Sequence, residues 1–162
     1  MNYYLDTEFL DDGKTIDLIS IALACEDGRD YYAVSSDFDE ARATDWLKTH
    51  VLNHIPKDFK RITRVQIARD LTAFVQGTPK LGGYIPPKMY GWYSAYDWVV
   101  LCQLFGPMVE RPCHFPKLCH DVKTISDLCG LGKIPKSGFT MHHPLDDAKW
   151  CMKVHQACLE PR

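Results

Sequence analysis

At 162 residues, with 46% hydrophobic and 25% charged residues, the chain has the make-up of one ordinary globular domain with a sizeable core. The net charge of -2 excludes a global basic signal for nucleic acid, and no apolar stretch is long enough to span a membrane. No signal peptide is expected ahead of the first strand, and the seven cysteines, odd in number and without a repeated spacing, read as reduced thiols in a cytoplasm.

Residues 2–9 read as a first strand that carries two carboxylates, Asp6 and Glu8. Residues i and i+2 of a strand share a face, so both project side by side from its end. Two anions at that separation raise each other's pKa, and a divalent cation that prefers hard oxygen ligands, Mg²⁺ or Mn²⁺, removes the repulsion. A solvated strand end running into the turn Asp11-Asp12-Gly13 is the competing reading of the same residues. Residues 15–25 are apolar at nearly every position, which predicts a strand buried on both faces. A turn over 26–29 and a return strand over 30–35 complete an antiparallel meander.

A helix is expected over 39–50, with Ala41, Trp46 and Leu47 among its apolar positions, and Pro56 closes that segment. The clearest helix spans 63–76. Thr63 and Gln66 have capping-box spacing, Ile67, Ala68, Leu71, Phe74 and Val75 form one stripe, and Gly77 ends it. The basic residues Lys57, Lys60, Arg61, Arg64 and Arg69 form either a solvated face or a set of phosphate contacts. Residues 77–87, rich in Gly and Pro, read as a loop, and 88–92 as a short strand.

Ser94 is expected to cap a helix that runs to about Phe105 before Gly106-Pro107 stops it. Asp97 in its first turn either completes a capping box with Ser94 or carries chemistry. A last strand over 117–120 leads to a helix over 122–129, capped by Asp121 and ended by Gly130. Cys113-His114 and Cys119-His120 lack the close CxxC pair of most structural zinc sites and read as core or incidental thiols. Pro144 fits the start of a final helix, continued by Leu145, Ala148, Cys151, Met152, His155, Cys158 and Leu159. Without further context, Asp146 and Asp147 suit the helix dipole and His142 and His143 a surface turn.

Taken in order, Asp6-Thr7-Glu8-Phe9, an Asp opening a helix after a strand, and His-x-x-x-x-Asp near the C-terminus resemble the DEDD exonucleases of the His-containing subtype. The strand-then-helix segment around Cys119-His120-Asp121-Val122 resembles the element that precedes their last motif. Residues 6–35 and 94–107 look like the small stand-alone 3′→5′ exoribonucleases of mycobacteria and their relatives. The resemblance covers essentially the whole chain, departing where Tyr93 replaces a common Asn and Pro144 a small residue.

This resemblance implies a ribonuclease H-like α/β fold, a mixed five-stranded sheet with helices on both sides, as a single exonuclease domain over 1–162. It implies that Asp6, Glu8, Asp97 and Asp147 hold two Mg²⁺ or Mn²⁺ ions, Asp97 partly through water. His142, five positions ahead of Asp147, has the family's spacing for the general base. Phe9 is expected either against the terminal base or in the core. The implied activity is metal-dependent release of nucleoside 5′-monophosphates from RNA 3′ ends, with adenylate preference and a homodimer as features of the relatives. A DNA or small-oligonucleotide exonuclease and a catalytically silent RNA-binding module are the competing functions.

Overall fold

The strand that carries the paired carboxylates lies at the centre of a five-stranded sheet. The structure, a computed structural model, describes residues 1–80 and 83–160. In chain order its elements are β1 (Asn2–Asp11), β2 (Ile16–Cys25), β3 (Asp30–Val34), α1 (Asp45–His50), α2 (Arg64–Phe74), β4 (Thr78–Lys80), β5 (Gly83–Ile85), β6 (Lys88–Gly91), α3 (Ala95–Gln103), β7 (Cys119–Asp121), α4 (Val122–Leu128) and α5 (Pro144–Leu159). The large sheet has the order β3-β2-β1-β6-β7. Its first half is the expected antiparallel meander, while β6 runs parallel to β1 and β7 parallel to β6. The sheet is therefore mixed, as the ribonuclease H-like arrangement requires.

Alternation along β1 decides what each face buries. Tyr3 and Leu5 point to one side, where they pack with Ile67 and Leu71 of α2 and Val100 and Leu101 of α3. Tyr4 points to the other, against Val122 of α4 and Ala148, Cys151 and Val154 of α5. Helices thus cover both sides, and each fully buried Leu or Ile contributes about 1.5–3 kcal/mol. The register slips after Glu8: Glu8 faces Ser20 but Phe9 faces Leu18, so β2 carries one extra residue, Ile19. Ile19 and Leu10 join a third cluster with Val34, Phe38 and Val51.

Several segments differ from expectation. The helix over 39–50 is interrupted. A 3-10 turn at Glu40–Arg42 ends at an extended, buried Ala43, and Thr44 then caps α1 by accepting from the Leu47 N–H. The capping box of α2 is half-formed. Thr63 accepts from the Gln66 N–H at 3.2 Å, while the Gln66 side chain donates to Asp70 instead of reaching back.

The loop over 77–87, of which Leu81 and Gly82 lie outside the described residues, contains the hairpin β4–β5. α2 ends at Phe74 with Val75 as its cap, short of Gly77, whose N–H donates to the Tyr84 hydroxyl at 3.0 Å and where a Cβ would overlap the Tyr84 ring. The basic run is partly spent internally, since Arg61 pairs with Glu40 and Arg64 with Asp17.

Candidate active site

The same alternation sends Asp6 and Glu8 to the Tyr4 side of the sheet, which is the α5 side. Pro144 occupies the first turn of α5, with its fixed φ suited to that position, and Asp147 follows in the same turn. Strand and helix together bring one carboxylate oxygen each from Asp6, Glu8 and Asp147 within 4.8 Å of one another. Among the described residues no other group of His, Cys, Asp or Glu converges in this way; the Cys113 to His120 segment forms no metal cluster.

Asp97 arrives from the other side. Pairing of β1 with β6 stops at Leu5↔Gly91, and the Thr7 N–H beyond it donates to Asp97 Oδ1 at 2.8 Å. The Thr7 hydroxyl donates to the same oxygen at 2.7 Å. Ser94 makes no side-chain cap, so the capping-box reading of Ser94 and Asp97 does not hold. A buried strand end needing an acceptor outcompetes the helix terminus for this carboxylate. Asp97 stands outside the converging triplet but lines the same cleft.

His142 precedes α5 in a left-handed backbone conformation, φ 59°, which is uncommon for a residue with a side chain. Its N–H donates to Asp147 Oδ2 at 3.0 Å, and its ring meets Trp46 of α1 edge-on at 4.9 Å. Trp46 in turn stacks on His50 at 4.8 Å. His143 turns elsewhere, against the Tyr32 ring, with Nδ1 buried and without a hydrogen-bond partner among the described residues.

All six residues expected at the site, Asp6, Glu8, Phe9, Asp97, His142 and Asp147, line one cleft of about 420 Å³. Phe9 packs on the core with one side, and its ring stacks on Tyr96 at 5.8 Å and 12° in the cleft wall.

The cleft also contains residues that the sequence did not single out: Trp46 as a lining residue, Trp92, Tyr96 and Lys136. Lys136 pairs with Asp147 and lies 4.6 Å over the Trp150 ring. It sits in an irregular stretch with no periodicity to read, so no local signal marks it. Trp46 read in the sequence as one of the apolar positions of its helix, but the structure leaves it half exposed in the cleft wall.

The acids are held against their ordinary ionisation. Burial, then the charges of Asp97, Asp147 and Glu8, push Asp6 well above the usual carboxylate range. Burial and the charges of Asp147 and Asp97 raise Glu8 to about 8. Burial raises Asp97 to about 6, against the opposing hydrogen bonds from Thr7. The Lys136 ammonium works the other way on Asp6 and Glu8. Burial is also the main cause that lowers the His142 pKa, so its imidazole favours the neutral form. Clustered hard oxygens with more negative charge than one lysine offsets fit Mg²⁺ or Mn²⁺.

Two proteins of Mycobacterium tuberculosis are similar to this chain: 3'-5' exoribonuclease Rv2179c of strain ATCC 25618 / H37Rv and 3'-5' exoribonuclease MT2234.1 of strain CDC 1551 / Oshkosh. Each is 40% identical over 151 residues, which is 92% of this chain and 88% of the relative. The family model of the 3'-5' exoribonuclease Rv2179c-like domain matches residues 1–159. Nearly the whole length is shared, including every strand and helix that shapes the cleft, and the chain belongs to the Rv2179c-like 3'-5' exoribonuclease family.

Proposed function

We propose that this family member removes nucleoside 5′-monophosphates one at a time from RNA 3′ ends, with two divalent cations and His142 as general base. The observation that carries the reading is the convergence of Asp6, Glu8 and Asp147 within 4.8 Å. Asp97 and His142 line the same cleft. Mg²⁺ or Mn²⁺ bound there would stabilise charge on the attacking and leaving oxygens of an in-line phosphoryl displacement. Asp6, on the central strand, would hold a cation together with Glu8 and Asp147. Asp97 spends Oδ1 on Thr7 and keeps its other oxygen for the donor set.

The neutral His142 imidazole takes the proton from the attacking water as the new P–O bond forms and the bond to the 3′-oxygen of the preceding residue breaks, that oxygen leaving as a hydroxyl with a proton from solvent. Its ring is held from the side by Trp46, and its backbone is tied to Asp147. The stacked Phe9–Tyr96 pair offers a flat apolar face to the terminal base. RNA as the substrate is supported by the names of the relatives. Adenylate preference, a homodimer and a cytoplasmic setting belong to the same proposal and rest on resemblance and composition. No helix among the described residues is long and apolar enough to cross a membrane.

The test is to incubate the protein with labelled single-stranded RNA, DNA and dinucleotides, with Mn²⁺ or with a chelator. Mn²⁺-dependent release of mononucleotides from RNA is expected, slowed by a 3′-phosphate. Faster release from DNA or dinucleotides would move the assignment to those substrates. No release from any of them would leave a silent RNA-binding module.

A further inference from the structure

We propose that the cavity beside the catalytic cleft is a second nucleotide subsite, which takes the RNA residue on the 5′ side of the scissile bond. The inference rests on the exoribonuclease reading of the cleft itself. The cavity lies between α4, α5 and residues 131–141 and encloses about 700 Å³, ample for a nucleotide. It adjoins the cleft, with Trp92 and Lys136 lining both. An exonuclease substrate ends at the cleft and continues only in the 5′ direction. A built cavity that opens from the same wall is therefore placed for the preceding residue.

Its chemistry matches a single strand, which needs cations for its backbone and aromatic faces for its bases. The Trp92 and Trp150 rings meet edge to face at 4.7 Å in the wall. Three lysines, Lys123, Lys133 and Lys136, face one acid, Asp127. Lys123 is tied to Asp127 and Lys136 to Asp147, while Lys133 has no carboxylate partner among the described residues. Lys136 stands at the shared boundary, where the phosphate joining the two nucleotides would pass.

Two variants on the exposed side of the cavity test this without touching the acids. Gly132→Trp fills space, since a Cβ there meets no atom within 4 Å. Lys133→Glu reverses the one unpaired charge. Two substrates separate the subsites: a ten-residue RNA, and adenosine 5′-(p-nitrophenyl phosphate), which has no 5′ neighbour. Both variants should raise KM for the RNA about tenfold, the worth of one stacked base, while kcat/KM for the ester changes little. Anisotropy of the labelled RNA in EDTA should show the same loss of affinity.

Equal loss on both substrates, or no loss on either, would overturn the inference. So would a variant that escapes inhibition by free adenosine monophosphate yet keeps its RNA KM, since the cavity would then hold product rather than the strand. Failure of the unaltered protein to cleave either substrate with Mn²⁺ would instead overturn the exoribonuclease reading beneath it.

Discussion

His142 and His143 are neighbours in sequence and have different surroundings. The left-handed backbone of His142 and the extended φ -112° of His143, which precedes a proline, turn the two rings apart. His142 enters the cleft and His143 packs on Tyr32. His142→Ala should therefore lower kcat by about 10²–10⁴-fold, the usual worth of a general base. His143→Ala should stay within a few-fold in kcat, and steady-state kinetics showing the reverse ranking would move the base to His143. Asp147→Asn should abolish turnover without unfolding the protein, because losing one of the clustered charges relieves repulsion in the metal-free site. Activity assays beside a thermal melt check both halves of that expectation. At this scale the Asp6–Glu8 and His142–Asp147 pairs could be read from their short spacing, whereas Asp97 came from the resemblance. Lys136 could not be read, because its pairing with Asp147 depends on how an irregular segment folds back.

Among the elements, β1 decides most of the site. Its alternation gives Asp6 and Glu8 to the α5 side and Thr7 to the α3 side, so one strand presents two of the acids and anchors Asp97, while α5 brings Asp147. That alternation could be read directly from the residues, as could the stripe of α2 and the proline start of α5. What could not be read was decided by tertiary contact. The break before α1 follows from burying Ala43, the hairpin β4–β5 from the approach of Tyr84 to Gly77, and the missing Ser94–Asp97 capping box from Thr7 claiming the Asp97 carboxylate.

The joint between β6 and α3 is equally tight. A Cβ on Gly91 would sit 2.7 Å from the Ser94 Cβ and 3.3 Å from the Leu5 carbonyl oxygen. Gly91→Ala should then push the first turn of α3 away from β1, costing about 1–3 kcal/mol of stability as overpacking does. Asp97 should lose its grip on Thr7, so Mn²⁺ binding measured by calorimetry should weaken as well. A melt and a titration indistinguishable from the unaltered protein would show that this joint yields freely.

For the whole molecule, the acidic cluster makes stability depend on pH and on metal in opposite senses. Burial and neighbouring charge raise Glu8 from 4.5 to about 8 in the folded chain. The folded state therefore holds a proton that the unfolded chain releases near pH 4.5. That contribution is fully present below the unfolded value and is lost as pH rises through the folded one. Asp97, raised to about 6, and Asp6 act in the same direction. His142 and His155, both lowered mainly by burial, act oppositely and lose their contribution as pH falls.

Comparison with Glu8→Gln cancels His142 and His155, which Glu8 does not perturb, and leaves Glu8 together with its coupling to Asp6. Without metal, Tm of the unaltered protein relative to Glu8→Gln should decline from about pH 4.5 to about pH 8. Saturating Mn²⁺ should reverse the trend, because the cation binds the ionised carboxylates and so gains with rising pH. Removing the cation with a chelator should restore the decline. Parallel melting curves for the two proteins across this range would mean that Glu8 ionises freely and that no cation is needed to hold its charge.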